Sequence, residues 1–268
     1  DDWVGVNDLE EVAVNPNDNL VYTILNNGKF GVYNHSNGVW MNLSGNDTND
    51  WAGTSNTFGF VAVNPNDNLV YTSLTLGKFG VYNHSNGIWM DLSGNDTGDW
   101  VGTTSIEGIA VNPNDNLVYT VLDSGKFGVY NHSNGIWMNL SGNDTGNWAG
   151  STHMVNVAVN PNDNLVYTTL KSGEFGVYNH SNGVWMDLSG NDTGGWSSTE
   201  IIYGVAVNTN DNLVYTGVDG GKFGVYNHSN GVWMDLSAND TGDWVGIDTP
   251  YSVSVNTNNN LVYTALAS

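Results

Sequence analysis

Cysteine and arginine are absent from this 268-residue sequence, and only 5 residues are proline. Without cysteine the chain has no disulfide framework, no thiolate zinc site and no cysteine nucleophile. Only 5 lysines face 27 acidic residues, so the formal net charge is −22. Such an acidic chain repels nucleic-acid phosphates and anionic lipid surfaces, which excludes a nucleic-acid partner. No apolar run reaches the roughly 18 residues of a membrane-spanning helix, so we expect no membrane insertion.

Apolar residues nevertheless make up 39% of the sequence and aromatic residues 12%. That content supplies a hydrophobic core, which a disordered acidic tail lacks. The chain begins at Asp1 and its first residues show no signal-peptide pattern, so we expect a processed, mature chain. The sequence thus predicts a folded protein whose evenly spread charge keeps it soluble in an external medium.

Self-similarity at a fixed period dominates the sequence. The segment NHSNG begins at Asn34 and recurs after 49 residues, then three times after 48 residues. The block VAVNPNDNLVYT and its variants start at Val12, Val61, Ile109, Val157, Val205 and Val253. We therefore predict one domain over residues 1–268, with repeats at 1–49, 50–98, 99–146, 147–194 and 195–242 and a half repeat at 243–268.

Each repeat is predicted to form four short strands separated by turn residues. In the first repeat the strands are expected at residues 12–14, 20–25, 29–34 and 39–43. The turns NPNDN and NHSNG close the first and last strand pairs, and Asn-Gly is a strong hairpin signal. No window of the sequence shows a helical period.

Four short antiparallel strands in 48–49 residues are typical of a β-propeller blade. Consecutive apolar residues in the second strand, such as Leu20, Val21 and Tyr22, fit a strand that neighbouring blades cover on both faces. We therefore predict an all-β propeller with five complete blades and half of a sixth. A six-bladed ring with an incomplete last blade is favoured, and a five-bladed ring with an extra hairpin and a β-solenoid are the alternatives.

The half repeat contains only the first two strands of a blade, which leaves an edge unpaired at residues 261–266. A partner chain that adds strands to this edge would cover it. We therefore expect either self-association through the incomplete blade or a longer natural chain.

The turns barely change between repeats, whereas the loops after the second strands and the crossovers between repeats vary freely. In an antiparallel blade the two invariant turns lie at the same end, and the variable segments lie at the other. Ligand binding by the variable segments and drift of surface loops after recent duplication both explain this variation.

One tryptophan and one histidine in each repeat are candidate ligand-binding residues. Aromatic planes beside asparagine and aspartate acceptors suit sugar binding, while packing between blades is the structural alternative for tryptophan. The histidines flank the hairpin turns, where turn packing is the alternative role. The tryptophans are Trp40, Trp89, Trp137, Trp185 and Trp233, and the histidines are His35, His84, His132, His180 and His228.

The aspartates of the recurring NDT segment are candidate calcium ligands, and no other cofactor is predicted. An Asx turn also explains these residues, which are Asp47, Asp96, Asp144, Asp192 and Asp240. Asn-x-Ser/Thr sequons add candidate glycosylation sites wherever the host and compartment permit the modification. These are Asn34, Asn46, Asn83, Asn95, Asn131, Asn143, Asn179, Asn191, Asn227 and Asn239.

Catalysis has little support in the sequence. No nucleophile elbow, metalloprotease motif, phosphate-binding loop or dinucleotide fingerprint occurs. Nearly identical repeats also lack a unique set of catalytic groups, apart from weak candidates in variable segments: Glu10, Glu11, Glu107 and Glu200. We therefore predict that the protein is not an enzyme.

The block VAVNPNDNLVYT resembles the YVTN-type β-propeller repeats of bacterial and archaeal surface-layer proteins. The resemblance covers the first two strands of each repeat, about a quarter of the chain. The segment KFGVYNHSNGVWMDL departs from that family, and its tryptophan, glycine and asparagine content is similar to that of tachylectin-type lectin propellers. The first resemblance implies an extracellular surface protein, and the second implies carbohydrate binding.

Together these observations predict a non-enzymatic, extracellular or cell-surface protein with multivalent recognition. The expected partners are glycans or another cell-surface ligand, bound at one equivalent site per blade. The alternative is a structural subunit of a surface layer, sheath or filament, assembled through propeller faces or through the half blade.

Overall fold

The computed structural model describes residues 9–25, 27–44, 59–74, 77–93, 105–143, 153–189, 200–237, 249–257 and 259–267. These residues form five four-stranded antiparallel sheets and one two-stranded sheet. In each four-stranded sheet the strands pair in chain order, which is the blade topology of a β-propeller. The predicted all-β propeller fold, with five complete blades and a half repeat, is confirmed.

The strands follow one another at nearly constant spacing. Blade 1 contains β1 (Leu9–Asn15), β2 (Leu20–Leu25), β3 (Phe30–Asn34) and β4 (Val39–Asn42). Blade 2 contains β5 (Val61–Asn64), β6 (Leu69–Leu74), β7 (Lys78–Asn83) and β8 (Ile88–Asp91). Blade 3 contains β9 (Ile106–Asn112), β10 (Leu117–Leu122), β11 (Phe127–Asn131) and β12 (Ile136–Asn139), followed by a short 3-10 helix, Ser141–Asn143.

The remaining strands repeat this order. Blade 4 contains β13 (Met154–Asn160), β14 (Leu165–Leu170), β15 (Phe175–Asn179) and β16 (Val184–Asp187). Blade 5 contains β17 (Ile202–Asn208), β18 (Leu213–Val218), β19 (Lys222–Asn227) and β20 (Val232–Asp235). The sixth sheet contains β21 (Thr249–Asn256) and β22 (Leu261–Ala267).

The chain forms two compact units. One comprises Asp1–Leu122 with Gly128–Asn139, and the other comprises Asp123–Phe127 with Leu140–Ser268. In the first unit, β5 lies beside both β1 and β9. In the second unit, β17 lies beside both β13 and β21. The first strands of successive blades within a unit therefore lie side by side.

The core of each unit lies between successive blades. Tyr22 and Phe30 of blade 1 share one buried cluster with Val61 and Trp89 of blade 2. Strand β10 is buried along its whole length, which confirms that second strands are covered on both faces. Blade 2 thus contributes apolar area to its interfaces with blade 1 and with blade 3, and such burial is the main stabilising term of the fold.

The NPNDN turn connects blades as well as strands. Its first asparagine is fully buried, and its Nδ2 donates both to the turn aspartate and to the last turn asparagine of the next blade. We name these residues the asparagine ladder; the steps between blades run from Asn15 to Asn68, Asn64 to Asn116, Asn160 to Asn212 and Asn208 to Asn260. The ladder gives a structural reason why this turn barely changes between repeats.

The last residue of the turn adopts a left-handed backbone conformation. Asn19 has φ +59°, and its five equivalents have φ +58° or +59°. Asparagine accepts this region more readily than other residues with a side chain, apart from aspartate. The recurring asparagine therefore satisfies both the turn geometry and the ladder, where it supplies the accepting Oδ1.

Candidate functional site

Three of the five candidate histidines lie where successive blades meet. The ring of His84 packs edge-on against Tyr22 of the preceding blade, with ring centroids 5.8 Å apart. His132 and Tyr71 repeat this contact at 5.8 Å, and His228 and Tyr167 repeat it at 5.9 Å. In these three blades the histidine that flanks the hairpin turn therefore contacts the second strand of the preceding blade, whereas His35 of blade 1 packs on Tyr33 of its own blade.

The same contact brings three hydrogen-bonding groups together. Within the described residues, the hydroxyl of Tyr71 and Nδ1 of His132 are both buried and have no hydrogen-bond partner. Asp67 of the same turn as Tyr71 lies close enough to interact electrostatically with both. We name this set of aspartate, tyrosine and histidine an interblade niche. Three such niches can be followed in the described residues: Asp18, Tyr22 and His84; Asp67, Tyr71 and His132; and Asp163, Tyr167 and His228.

Burial dominates the electrostatics of the niches. It raises the pKa of the Tyr71 hydroxyl far above its ordinary value, and the charge of Asp67 raises it further. Burial also raises the pKa of Asp67, although backbone hydrogen bonds and His132 lower it in part. Each tyrosine thus stays a neutral hydroxyl that can donate and accept, beside a carboxylate that accepts.

The predicted tryptophans pack between blades. Trp89 is 7% exposed, meets Phe30 of the preceding blade edge-on at 4.8 Å, and donates from Nε1 to the Leu43 carbonyl oxygen. Trp137, Trp185 and Trp233 meet Phe79, Phe127 and Phe175 in the same way. Trp40, in blade 1, is 40% exposed. Most of these rings therefore serve the interface, and the histidines are more accessible candidates for ligand contact than Trp89.

Five of the predicted sequon asparagines begin hairpin turns. Oδ1 of Asn34 accepts a hydrogen bond from the Ser36 N–H, an Asx turn that recurs at Asn83, Asn131, Asn179 and Asn227. Asn143 ends the 3-10 helix. Asn46, Asn95, Asn191 and Asn239 lie outside the described residues, and so do all five predicted calcium ligands: Asp47, Asp96, Asp144, Asp192 and Asp240.

The variable segments contain two ion pairs in the described residues. His153, which precedes β13, pairs through Nδ1 with Asp123, and Lys222 pairs with Glu200 at 3.3 Å. Among the described residues, no three acidic or histidine side chains are grouped so that they could hold a metal ion. Within the described ranges, no helix has the length and apolar content that a membrane crossing requires.

Glu11 makes a partly buried contact between blades 1 and 2. Its Oε2 accepts a hydrogen bond of 2.8 Å from the Val61 N–H of the next blade. Burial raises the pKa of this carboxyl from 4.5 to about 8, against the lowering effect of that hydrogen bond. From the sequence, Glu11 is only a weak catalytic candidate. The structure places it in the interface between blades 1 and 2.

The raised pKa of Glu11 predicts that stability falls as pH rises. The folded state holds this proton up to about pH 8, while the unfolded chain loses it near 4.5. The stabilisation is therefore complete below pH 4.5 and lost as pH rises towards 8. The Glu11→Gln variant keeps a hydrogen-bond acceptor at this position but has no carboxyl that ionises. Between pH 5 and 8 the melting temperature of the wild type should therefore fall by several degrees more than that of the variant.

Circular dichroism melts at each pH measure this difference. Glu174→Gln is the matched control, because Glu174 accepts an exposed hydrogen bond from Ser172, and it should follow the wild-type profile. Parallel profiles for Glu11→Gln and the wild type would show that the Glu11 carboxyl does not hold its proton in the folded protein.

The tyrosines and turn aspartates of the niches are not among the candidate site residues that the sequence indicates. Turn chemistry accounts for the aspartate and a buried strand accounts for the tyrosine, so neither residue type stands out on its own. A usable signal was present, because Asp18 and Tyr22 recur together four residues apart in the first five repeats, and the half repeat has Asn259 in place of the aspartate.

Comparisons with known proteins support the fold. No protein-family model matches the sequence, and a search of curated proteins found no match. Two solved structures match with a TM-score of 0.69 and 14% identity. They are described as the extracellular domain of a hybrid two-component system and of a one-component system, in both cases BT4673 of B. thetaiotaomicron. Each match covers 98% of this chain but only 31% or 32% of the solved chain. The chain thus has the fold of these proteins and spans about a third of their length.

Proposed function

We propose that this chain is a non-enzymatic extracellular recognition protein that binds carbohydrate at equivalent sites between its blades. The observation that carries the proposal is the interblade niche. The same tyrosine hydroxyl and histidine Nδ1 lack hydrogen-bond partners among the described residues at three interfaces, each time beside a turn aspartate.

The chemistry of the niche suits a sugar. A sugar hydroxyl both donates and accepts, and the niche offers a carboxylate acceptor, a hydroxyl and an imidazole nitrogen. Aromatic rings lie next to these groups: Tyr130 packs against His132 at 6.0 Å and against Trp137 at 5.1 Å. A planar apolar surface beside fixed polar groups is the usual composition of a small-molecule site.

Repetition would increase the strength of binding to a surface that presents many glycans. Sites that are individually weak gain avidity when one rigid chain carries several of them. The histidines are partly exposed and flank the hairpin turns, so a ligand would enter at the end of the blades where the invariant turns lie. This location also accounts for the invariance of those turns between repeats.

An extracellular location is supported by two independent observations. The solved chains with the same fold are extracellular domains. The chain lacks arginine and carries a net charge of −22, which favours solubility and disfavours non-specific association with anionic surfaces.

A glycan array, followed by isothermal titration calorimetry with the strongest-binding oligosaccharide, tests the proposal. We expect several equivalent sites per chain. His132→Ala removes one niche, so the number of sites should fall by one while the affinity of the others stays the same.

His35→Ala is the matched control, because His35 has the same turn position but, in the described ring contacts, packs on Tyr33 of its own blade rather than on a tyrosine of another blade. It should leave the number of sites unchanged. The proposal is wrong if no glycan binds, if the stoichiometry is a single site, or if the two variants behave alike.

A further inference from the structure

Methionine occupies the same position on the fourth strand of every complete blade. The five residues are Met41, Met90, Met138, Met186 and Met234. Met90 is 41% exposed and Met186 is 42% exposed. An exposed side chain contributes little to the core, where methionine usually fills gaps between other residues. This position therefore presents a thioether side chain at the surface.

The exposure of Met90 and Met186 arises within single compact units. Met90 pairs with Val81 on the neighbouring strand, so both side chains lie on the same face of blade 2. Val81 is buried in a cluster that includes Tyr130 of blade 3, and both residues belong to the first unit. In the second unit, Met186 pairs with Val177, which is buried against blade 5. The next blade thus covers the inner part of each face and leaves the methionine on the edge strand exposed.

Each of these methionines lies in an exposed apolar strip of its edge strand. Ile88 is 54% exposed and lies two positions before Met90, so the two side chains point to the same side of β8. Val184 and Met186 form the same pair on β16, where Val184 is 49% exposed. A chemical change at the sulfur therefore alters the polarity of the surface and leaves the buried clusters intact.

We propose that Met90 and Met186 are oxidation sites, at which a peroxide makes the exposed apolar strip polar while the blades stay folded. The sulfur lone pair attacks one peroxide oxygen, an S–O bond forms and the O–O bond breaks. The proton of the transferred oxygen passes to the leaving oxygen. With hydrogen peroxide the products are methionine sulfoxide and water, so the sulfur is oxidised and the peroxide is reduced.

The composition of the chain favours these sites. No thiol competes for the oxidant, because the sequence has no cysteine. Methionine sulfoxide is a reversible product, since methionine sulfoxide reductases restore the thioether, and the strip can therefore alternate between an apolar and a polar state. This inference does not rest on the proposed function, because neither methionine belongs to an interblade niche and the tests use no glycan.

Oxidation with dilute hydrogen peroxide, followed by tryptic peptide mapping, tests the sites. Peptides 79–126 and 172–222 each contain one methionine, Met90 and Met186 respectively. We expect both to react in the folded chain at nearly the rate measured in concentrated urea, because the fold does not cover them.

Leu20→Met is the matched control, because Leu20 is buried in the cluster between blades 1 and 2 and the substitution nearly preserves volume. The introduced methionine is the only one in peptide 1–29. It should react at least about tenfold more slowly in the folded variant than in urea, since the oxidant reaches it only when the structure opens.

Hydrophobic-interaction chromatography measures the change in surface polarity. The oxidised wild type should elute earlier than the reduced protein, and treatment with a methionine sulfoxide reductase should restore the original retention. Met90→Leu combined with Met186→Leu keeps the strips apolar without the reactive sulfur, so its retention should shift less. The circular dichroism spectrum should stay the same on oxidation.

Three results would overturn the proposal. The first is slow oxidation of Met90 and Met186 in the folded chain, at the rate of the site introduced by Leu20→Met. The second is an equal shift in retention for the wild type and the double variant. The third is loss of the β-sheet spectrum when the wild type is oxidised.

Discussion

Replacing Asn64 with alanine is expected to lower the free energy of unfolding by about 2–4 kcal/mol. The Asn64 side chain is fully buried and donates to Asp67 Oδ2 at 3.0 Å and to Asn116 Oδ1 at 2.8 Å. Its own Oδ1 accepts from the Asn66 N–H at 3.1 Å. Alanine removes all three hydrogen bonds and leaves their partners unsatisfied in a partly buried turn, which costs more than the loss of an exposed bond.

A second substitution at Asn64 distinguishes the contribution of the ladder's hydrogen bonds from that of side-chain packing. Asn64→Asp is nearly isosteric, but it replaces the donating amide by a second acceptor beside Asp67, so it should destabilise at least as much as alanine. Urea and thermal unfolding followed by circular dichroism measure both variants. Asn37→Ala is the control, because the Asn37 side chain accepts one exposed hydrogen bond from Val39. Equal effects of Asn64→Ala and Asn37→Ala would contradict a stabilising role for the ladder.

Replacing Phe79 with alanine is expected to cost about 3–5 kcal/mol, the range for truncating a buried aromatic side chain. Phe79 is fully buried. Its ring stacks on Tyr71 at 6.0 Å and meets Trp137 of the next blade edge-on at 4.9 Å. The truncation removes both contacts and leaves a cavity between the two blades.

The chain contains its own control for this prediction. Phe223 holds the same position in blade 5 and stacks on Tyr215 at 6.1 Å. It is only half-buried, because the sixth sheet that follows has no third and fourth strands among the described residues. Phe223→Ala should therefore cost roughly half as much as Phe79→Ala. If the two substitutions destabilise the protein equally, the covering blade contributes little to the stability of this position.

The repeating part of the fold was predictable because each strand carries its own local signals. Strand β2 lies at Leu20–Leu25 as predicted, since apolar and β-branched residues fill it and Gly28, with φ +75°, closes the turn that follows it. Strand β1 is longer than the predicted residues 12–14. It begins at Leu9, where a bulge between Leu9 and Glu11 lets variable residues pair with β2. Local pattern does not reveal such a bulge, because the residues before it differ in every repeat.

The candidate site was harder to predict because it is formed across blades. Tyr22 meets His84, which lies 62 positions later in the chain rather than in the same repeat. Comparing the repeats shows that both residues recur, but it does not show which copies touch. The contact of Glu11 could not be predicted for the same reason, since its hydrogen-bond partner, Val61, belongs to the next blade.

The asparagine ladder has a consequence for how this gene can change in length. Each described step uses residues of two successive repeats only, as from Asn15 to Asn68 or from Asn160 to Asn212. If one 48-residue period is deleted or duplicated, the first turn asparagine of one repeat therefore still meets the last turn asparagine of an equivalent repeat at the new junction. Unequal recombination between near-identical repeats would yield chains that still fold, so homologues should differ in whole numbers of repeats more readily than in the NPNDN turn.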